Sequence, residues 1–273
     1  HVSAEACGCR TGEAVMRRVL VIGGGASGLT AAIAAAEQGA KVTLLEKNRQ
    51  VGKKILVTGN GRCNLTNENQ DEACYRGGEP GFARTVFGNF GLPDTLRFFE
   101  RLGVYPYSDQ ASSVADALRM EAERLGVKLA LGNQILEIRA LNPNGASGDL
   151  DRPEEDRAGK ASGDSAVSGP RFAARTEGWT YEGDACVLAA GSAAAPATGS
   201  DGSGDALAEG LGHRLIKPLP ALVQLRCRER FYERLAGLRM EAAVRVLADR
   251  KETACDRGEV QFTRNGISGI PVF

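Results

Sequence analysis

A short apolar, β-branched run, Arg18–Ile22 (RVLVI), leads directly into Gly23, Gly25 and Gly28 at G-x-G-x-x-G spacing, and that juxtaposition leaves few folds open. The run suits a strand buried on both faces of a parallel sheet. Ala26–Gln38 is alanine-rich and apolar on nearly every side, as a helix pressed onto a sheet should be, and Gly39 is its stop. Lys41–Leu45 predicts a second strand, closed by Glu46 about 20 residues beyond the glycines, where an adenosine ribose needs a hydrogen-bond acceptor. Each glycine has a task in such a unit. Gly23 allows the tight turn, Gly25 lets the backbone approach a pyrophosphate, and Gly28 lets the helix lie close to the strand. The amides around Ala26 and Ser27 face the diphosphate with the positive end of the helix dipole behind them. An ordinary strand-to-helix turn also uses glycine. The glycines, helix, second strand and terminal acid together point to dinucleotide binding.

The continuation narrows the dinucleotide. An NAD-binding unit would ordinarily run on into another helix and strand, whereas Val51–Asn67 reads VGKKILVTGNGRCNLTN, a polar loop with Gly52, Gly59 and Gly61. Gly52-Lys53-Lys54 is not a P-loop, because Lys47 stands where its first glycine is required and no Ser or Thr follows the lysine. The segments GASGLTAA, LLEK and GKKILVTGNGRCNLTN resemble the BaiN-like flavoproteins, a two-domain FAD family that includes a bile-acid 3-dehydro-4,6-reductase and proteins described as aminoacetone oxidases. The resemblance implies an α/β fold: a Rossmann-like FAD-binding domain of the glutathione-reductase type with a β-rich inserted domain. It also implies that Gly59, Asn60, Arg62, Cys63, Asn64 and Thr66 lie near the flavin, with Lys47 and Lys54 as further cofactor contacts. Cys63 has no second cysteine within a few residues to form a redox dithiol, so a packing or backbone-contact role is the expectation.

The remainder of the chain fits around that unit. Its 273 residues suggest roughly two domains, and 34 basic against 34 acidic residues create no global field favouring nucleic acid or an anionic membrane. The segment 1–15 lacks the basic and apolar regions of a signal peptide and precedes a natural start at Met16, so it is expected to be a disordered leader. The most apolar stretch is the glycine unit itself, which excludes a membrane span and suggests a cytoplasmic protein. Seven cysteines without paired metal-type spacing predict neither disulfides nor a metal site.

Leu92–Leu102 and Ser112–Leu125 predict amphipathic helices, with Tyr105 and Tyr107 beside Pro106 as packing or cavity-lining aromatics. Gly126–Ala140 predicts a strand pair continuing the sheet, and by resemblance the backbone of Ile135 meets the adenine ring. The segment 142–170, rich in Gly, Ser, Asp and Arg, predicts a mobile loop joining two strands. Asp184–Gly191 (DACVLAAG) is then a second buried strand, and Ala189-Ala190-Gly191 resembles the Ala-Thr-Gly strand end that passes near the cofactor in glutathione-reductase-type enzymes. Thr198–Gly204 is expected near the active-site entrance, before a helix Ala206–Leu211. His213, following that helix, reads as a helix-end contact rather than an acid-base group.

The first domain is expected to span 16–205, and 206–273 to begin the β-rich insert, with short alternating strands such as AAVRVLAD and GEVQFT. The family continues beyond GEVQFTRNGISGIPVF with a glycine-rich return to the first domain, so the resemblance also implies an incomplete chain. The function expected is an FAD-dependent oxidoreductase in which NAD(P)H reduces the flavin and a hydride passes to an unsaturated carbonyl, such as a 3-oxo-4,6-diene bile acid. An oxygen-using amine oxidase and a non-catalytic nucleotide-binding fragment are the alternatives. Arg62 and Asn64 are the polar candidates for positioning substrate, which is expected to be a small, steroid-like molecule and not RNA.

Overall fold

The computed structural model describes residues 16–71, 74–75, 81–104, 110–141 and 171–273. The expected leader, Tyr105, Tyr107 and the expected loop 142–170 lie outside the described residues. The chain divides after Leu215 into two units.

In the first unit β1 (Arg18–Ile22), β2 (Lys41–Glu46), β3 (Lys128–Leu131) and β7 (Ala185–Leu188) form a parallel sheet in the order β3-β2-β1-β7. Strand alternation sorts the two faces. Val19, Val21, Val42 and Leu44 enter one core cluster with Leu29 and Ile33 of α1 (Ala26–Glu37) and Leu118 of α4 (Ala111–Arg124). Leu20, Ile22 and Leu45 enter the other with Ile138 and Ala174. Those last residues belong to a separate antiparallel sheet of β4 (Glu137–Ala140), β5 (Phe172–Arg175) and β6 (Thr180–Gly183), which caps the second face. Burying a side chain such as Leu29, Ile33, Leu44 or Leu118 contributes about 1.5–3 kcal/mol each, and on both faces this is what holds the sheet.

The strand pair expected over 126–140 is therefore split. β3 joins the parallel sheet, whereas β4 turns away and pairs antiparallel with β5. Asp184 ties the small sheet back to β1: its Oδ2 accepts from the Arg18 amide at 2.7 Å and its Oδ1 from Arg18 Nη2 at 3.0 Å. The expected polar loop after β2 contains a 3-10 helix, Ile55–Gly61, seated on α4 through buried Ile55. Two surface helices, α2 (Gly81–Asn89) and α3 (Leu92–Arg101), precede α4. The Gly91 amide at the start of α3 donates to Asp94 Oδ2 at 3.0 Å, occupying one of the helix's free N-terminal donors.

Helix α5 (Ser203–Gly210) buries Leu207 in the second core cluster, which places it in the first unit rather than at the head of an insert beginning at 206. His213 stands at its end, its amide donating to the Ala208 carbonyl at 3.2 Å. The second unit, Ile216–Phe273, is an antiparallel sheet in the order β8 (Leu225–Arg226), β11 (Gly266–Gly269), β10 (Lys251–Thr263) and β9 (Arg239–Ala248), with a one-turn helix α6 (Tyr232–Leu235). Two of these strands are longer than the short alternations expected. A tight turn at Asp249 and Arg250, both at positive φ (49° and 66°), lets β9 and β10 pair as one extended hairpin.

Candidate functional site

The glycine turn sits where β1 hands over to α1, and neighbouring backbone fixes it from three directions. Gly23 N–H donates to Leu45 O at 2.8 Å, Ala189 N–H to Ile22 O at 2.8 Å, and Gly52 N–H to Gly24 O at 2.7 Å. Gly23 has φ +105°, and a Cβ there would stand 2.5 Å from Ala189 O. A Cβ on Gly28 would lie 1.8 Å from Gly23 O, so helix and strand approach as closely as only glycine permits. Gly25 is different: a Cβ there would meet nothing within 4 Å. Its missing side chain leaves open space in front of the first turn of α1, whose N-cap makes no side-chain hydrogen bond. Unoccupied amides, helix dipole and room for a bulky group thus coincide, the arrangement that receives a phosphate.

That space is a cavity of ≈ 370 Å³. Of the residues expected from the sequence, Gly23, Gly25, Ala26, Ser27, Glu46, Lys54, Cys63, Asn64, Ala190 and Gly191 line it. Ile135 and Lys47 line a small recess of ≈ 40 Å³ that shares Gly23, Glu46 and Ala190 with the cavity wall. Arg62 and Thr66 are exposed and lie outside both walls, and Thr66 Oγ1 accepts from Gln70 Nε2 at 3.2 Å. Gly59, with φ +57°, serves the turn: a Cβ there would stand 2.7 Å from Asn64 Oδ1. Asn60 belongs to the 3-10 helix, and its side chain lies outside the described residues.

Glu46 is buried, and its carboxylate is already engaged. Oε2 accepts from the Gly24 amide at 2.6 Å, while Oε1 accepts from the Asn48 amide at 2.8 Å and from Asn48 Nδ2 at 2.6 Å. A carboxylate offers about four acceptor positions, so room remains for a ligand hydroxyl. The sequence reading missed Gly24 and Asn48. Gly24 occupies a variable place in the G-x-G-x-x-G pattern, yet a Cβ there would stand 2.7 Å from Val51 Cγ1, so glycine is required for packing. Asn48 carried a usable signal, a short amide two residues beyond the acid.

The lysines face the opposite wall. Lys54 Nζ donates to Ala194 O at 2.7 Å and to Ser200 Oγ at 2.6 Å, and Lys47 Nζ pairs with Asp201 Oδ1 at 2.8 Å. The Lys47 ammonium, with help from Ser203, holds the Asp201 carboxyl well below the usual carboxylate range. Cys63 is half-buried at φ +70°, and burial pushes its thiol up against an opposing hydrogen bond with Thr58. It is a neutral wall residue and not a poised thiolate. Gln50, Lys53, Ile55 and Thr58 also line the cavity and were not anticipated, whereas Thr198, Gly199 and Ser200 fall in the segment Thr198–Gly204 expected near the active-site entrance. Among the described residues no group of three or more His, Cys, Asp or Glu is gathered to hold a metal.

The HI0933-like protein Rossmann domain family matches residues 17–269. The 3-dehydro-bile acid delta(4,6)-reductase of Clostridium scindens is 44% identical over 269 residues, covering 94% of this chain and 59% of that protein. The ribosomal RNA dihydrouridine synthase of Haemophilus influenzae is 24% identical, covering 93% of this chain and 59% of the relative. The chain thus spans about three fifths of the length of the curated relatives it matches. A solved 3-ketosteroid-delta4-(5alpha)-dehydrogenase from Rhodococcus jostii RHA1 is 14% identical, with a TM-score of 0.40 over 67% of this chain and 48% of that one.

Proposed function

The chain belongs to the HI0933-like Rossmann-domain family, and from that premise we propose that it is the cofactor-holding part of an FAD-dependent oxidoreductase that saturates a carbon–carbon double bond conjugated to a carbonyl. The observation that carries this reading is the 44% identity, over 94% of the chain, to a 3-dehydro-bile acid delta(4,6)-reductase, and the open cradle at Gly25 suits the cofactor. The reaction named for that relative makes a 3-oxo-4,6-diene bile acid the first substrate to try, with NADH or NADPH as donor.

The residues present fit a dinucleotide. The amides of Ala26 and Ser27 would receive the diphosphate and the remaining acceptor capacity of Glu46 a ribose hydroxyl, with Ile135 on the adenine side. Asn64 and Thr58 are among the polar residues that line the cavity. FAD, when bound, supplies the two-electron relay between donor and substrate. The chain's own part is to hold the diphosphate without a competing side chain at Gly25 and to keep Cys63 neutral beside it.

Reduction of uridine in RNA is a second reading, supported by the synthase at 24% identity and weakened by the even balance of 34 basic and 34 acidic residues. An oxygen-using amine oxidase rests on the family resemblance alone. One experiment separates these. The chain is loaded with FAD, its visible spectrum is recorded, and NADH, NADPH or aminoacetone is added anaerobically to separate samples; the samples that bleach then receive the 4,6-dien-3-one, an RNA containing uridine, or oxygen. Bleaching by the nicotinamide and reoxidation by the dienone is the expected result. Reoxidation by RNA alone, reduction by aminoacetone, or the absence of any flavin band overturns the reading.

A further inference from the structure

Thr198, Gly199 and Ser200 line the cavity and belong to the segment Ser192–Asp201, which follows β7 and leads into α5. Apart from one 3-10 turn at Pro196–Thr198 it has no regular structure, and residues 191–197 are exposed. Its backbone can pivot: Gly191, Gly199 and Gly202 have φ of +77°, +115° and +81°, and Ala195, without glycine's freedom, sits at +49°. Two lysines from the opposite side pin it. Lys54 reaches both the Ala194 carbonyl and the Ser200 hydroxyl, and Lys47 reaches Asp201. Ser200, held by Lys54, is 9% exposed and fits against Gly191, where a Cβ would come within 2.9 Å of the Ser200 Cβ.

Building on the dinucleotide reading above, the geometry points to Lys54 and Lys47 as positioning residues that strap the segment 192–201 over the cofactor cavity, rather than as ligands of the diphosphate. Lys54 Nζ already has two acceptors on the strap, and Lys47 Nζ has a carboxylate. The anion is left to the amides at the start of α1. The strap covers one side of the cavity and slows cofactor escape.

Asp201→Asn distinguishes the two roles by sign. Were Lys47 a phosphate ligand, removing its competing carboxylate would free the ammonium and tighten dinucleotide binding. If Lys47 is a strap anchor, the same change loosens the strap and weakens binding. The probes are ADP and FAD titrated into the purified chain by fluorescence, with hydrogen exchange of the peptide covering 190–203 measured in the absence of any ligand. The expected result is exchange on the order of tenfold faster for Lys54→Met and Ser200→Ala, since each removes a charge-assisted hydrogen bond. A few-fold increase is expected for Asp201→Asn, whose ion pair is partly exposed. FAD dissociation should quicken in the same order, and Lys54→Arg should restore part of it. Tighter binding by Asp201→Asn, or unchanged exchange in Lys54→Met, overturns the strap. The exchange measurement needs no ligand, so it decides the strap even if the chain binds neither ADP nor FAD, an outcome that would instead remove the dinucleotide reading.

Discussion

The buried amide of Gly24 donates to Oε2 of Glu46 at 2.6 Å, joining the turn after the first strand to the last residue of the second. The acid expected to meet a ribose therefore also holds the glycine turn in shape before any ligand arrives. Glu46→Ala leaves the Gly24 N–H buried without its acceptor and should cost about 1–3 kcal/mol of stability in the ligand-free chain. Urea unfolding measures it. A midpoint equal to that of the parent protein would mean the contact carries no weight. Glu46→Gln, retaining one acceptor oxygen, should fall between the two.

Gly25 and Gly28 separate binding from folding. Gly28→Ala drives a methyl to within 1.8 Å of Gly23 O and should cost about 3 kcal/mol or more, seen as a lowered melting temperature or insoluble protein. Gly25→Ala meets nothing within 4 Å, at a negative φ of −79°, so its stability should change by no more than about 1 kcal/mol, the weak capping preference of glycine over alanine. Its methyl projects into the cavity, and FAD affinity should drop about tenfold or more. Equal losses of stability in the two variants would contradict this division.

Asp184 makes the chain sensitive to acid. The Arg18 side chain, then the Arg18 amide, hold its carboxyl below the usual range. Its folded pKa is depressed, so the stabilisation is present above the ordinary carboxylate pKa of about 3.9 and is lost as pH falls through the lower folded value. Asp184→Asn should flatten the decline in melting temperature as pH falls below about 5. An unchanged profile would place the acid sensitivity elsewhere.

Cys186 works in the opposite direction. Burial on β7 pushes its thiol from 9.0 up to about 11. The contribution is complete below the unfolded value and is lost as pH rises toward the folded one, so stability should decline between about pH 9 and about pH 11. At pH 8 the thiol should resist iodoacetamide while the exposed Cys74 and Cys255 react, as peptide mapping by mass spectrometry would read. Cys186 labelling as fast as Cys255 would refute its partial burial.

The sequence by itself determined the β-α-β unit from Arg18 to Glu46, because strand burial, helix packing and the turn glycines there are local demands that one stretch of chain satisfies alone. Ala189–Gly191 was legible only through its resemblance to a known strand end, because its contact with the turn, Ala189 N–H to Ile22 O, joins residues far apart in the chain. Only the tertiary structure decided what Lys47 and Lys54 do, because their partners Asp201, Ala194 and Ser200 lie far along the chain and no spacing rule connects them. It likewise sent β4 away from the parallel sheet, since Leu20, Ile22 and Leu45 need the cover that Ile138 of β4 and Ala174 of β5 supply once those two strands pair. Arg62 and Thr66 mark the same boundary: a motif predicts neighbours in sequence, but the path of the chain after the 3-10 turn at Ile55–Gly61 sets which of them line the cavity, and it brings Cys63 and Asn64 to the wall while Arg62 and Thr66 stay outside it.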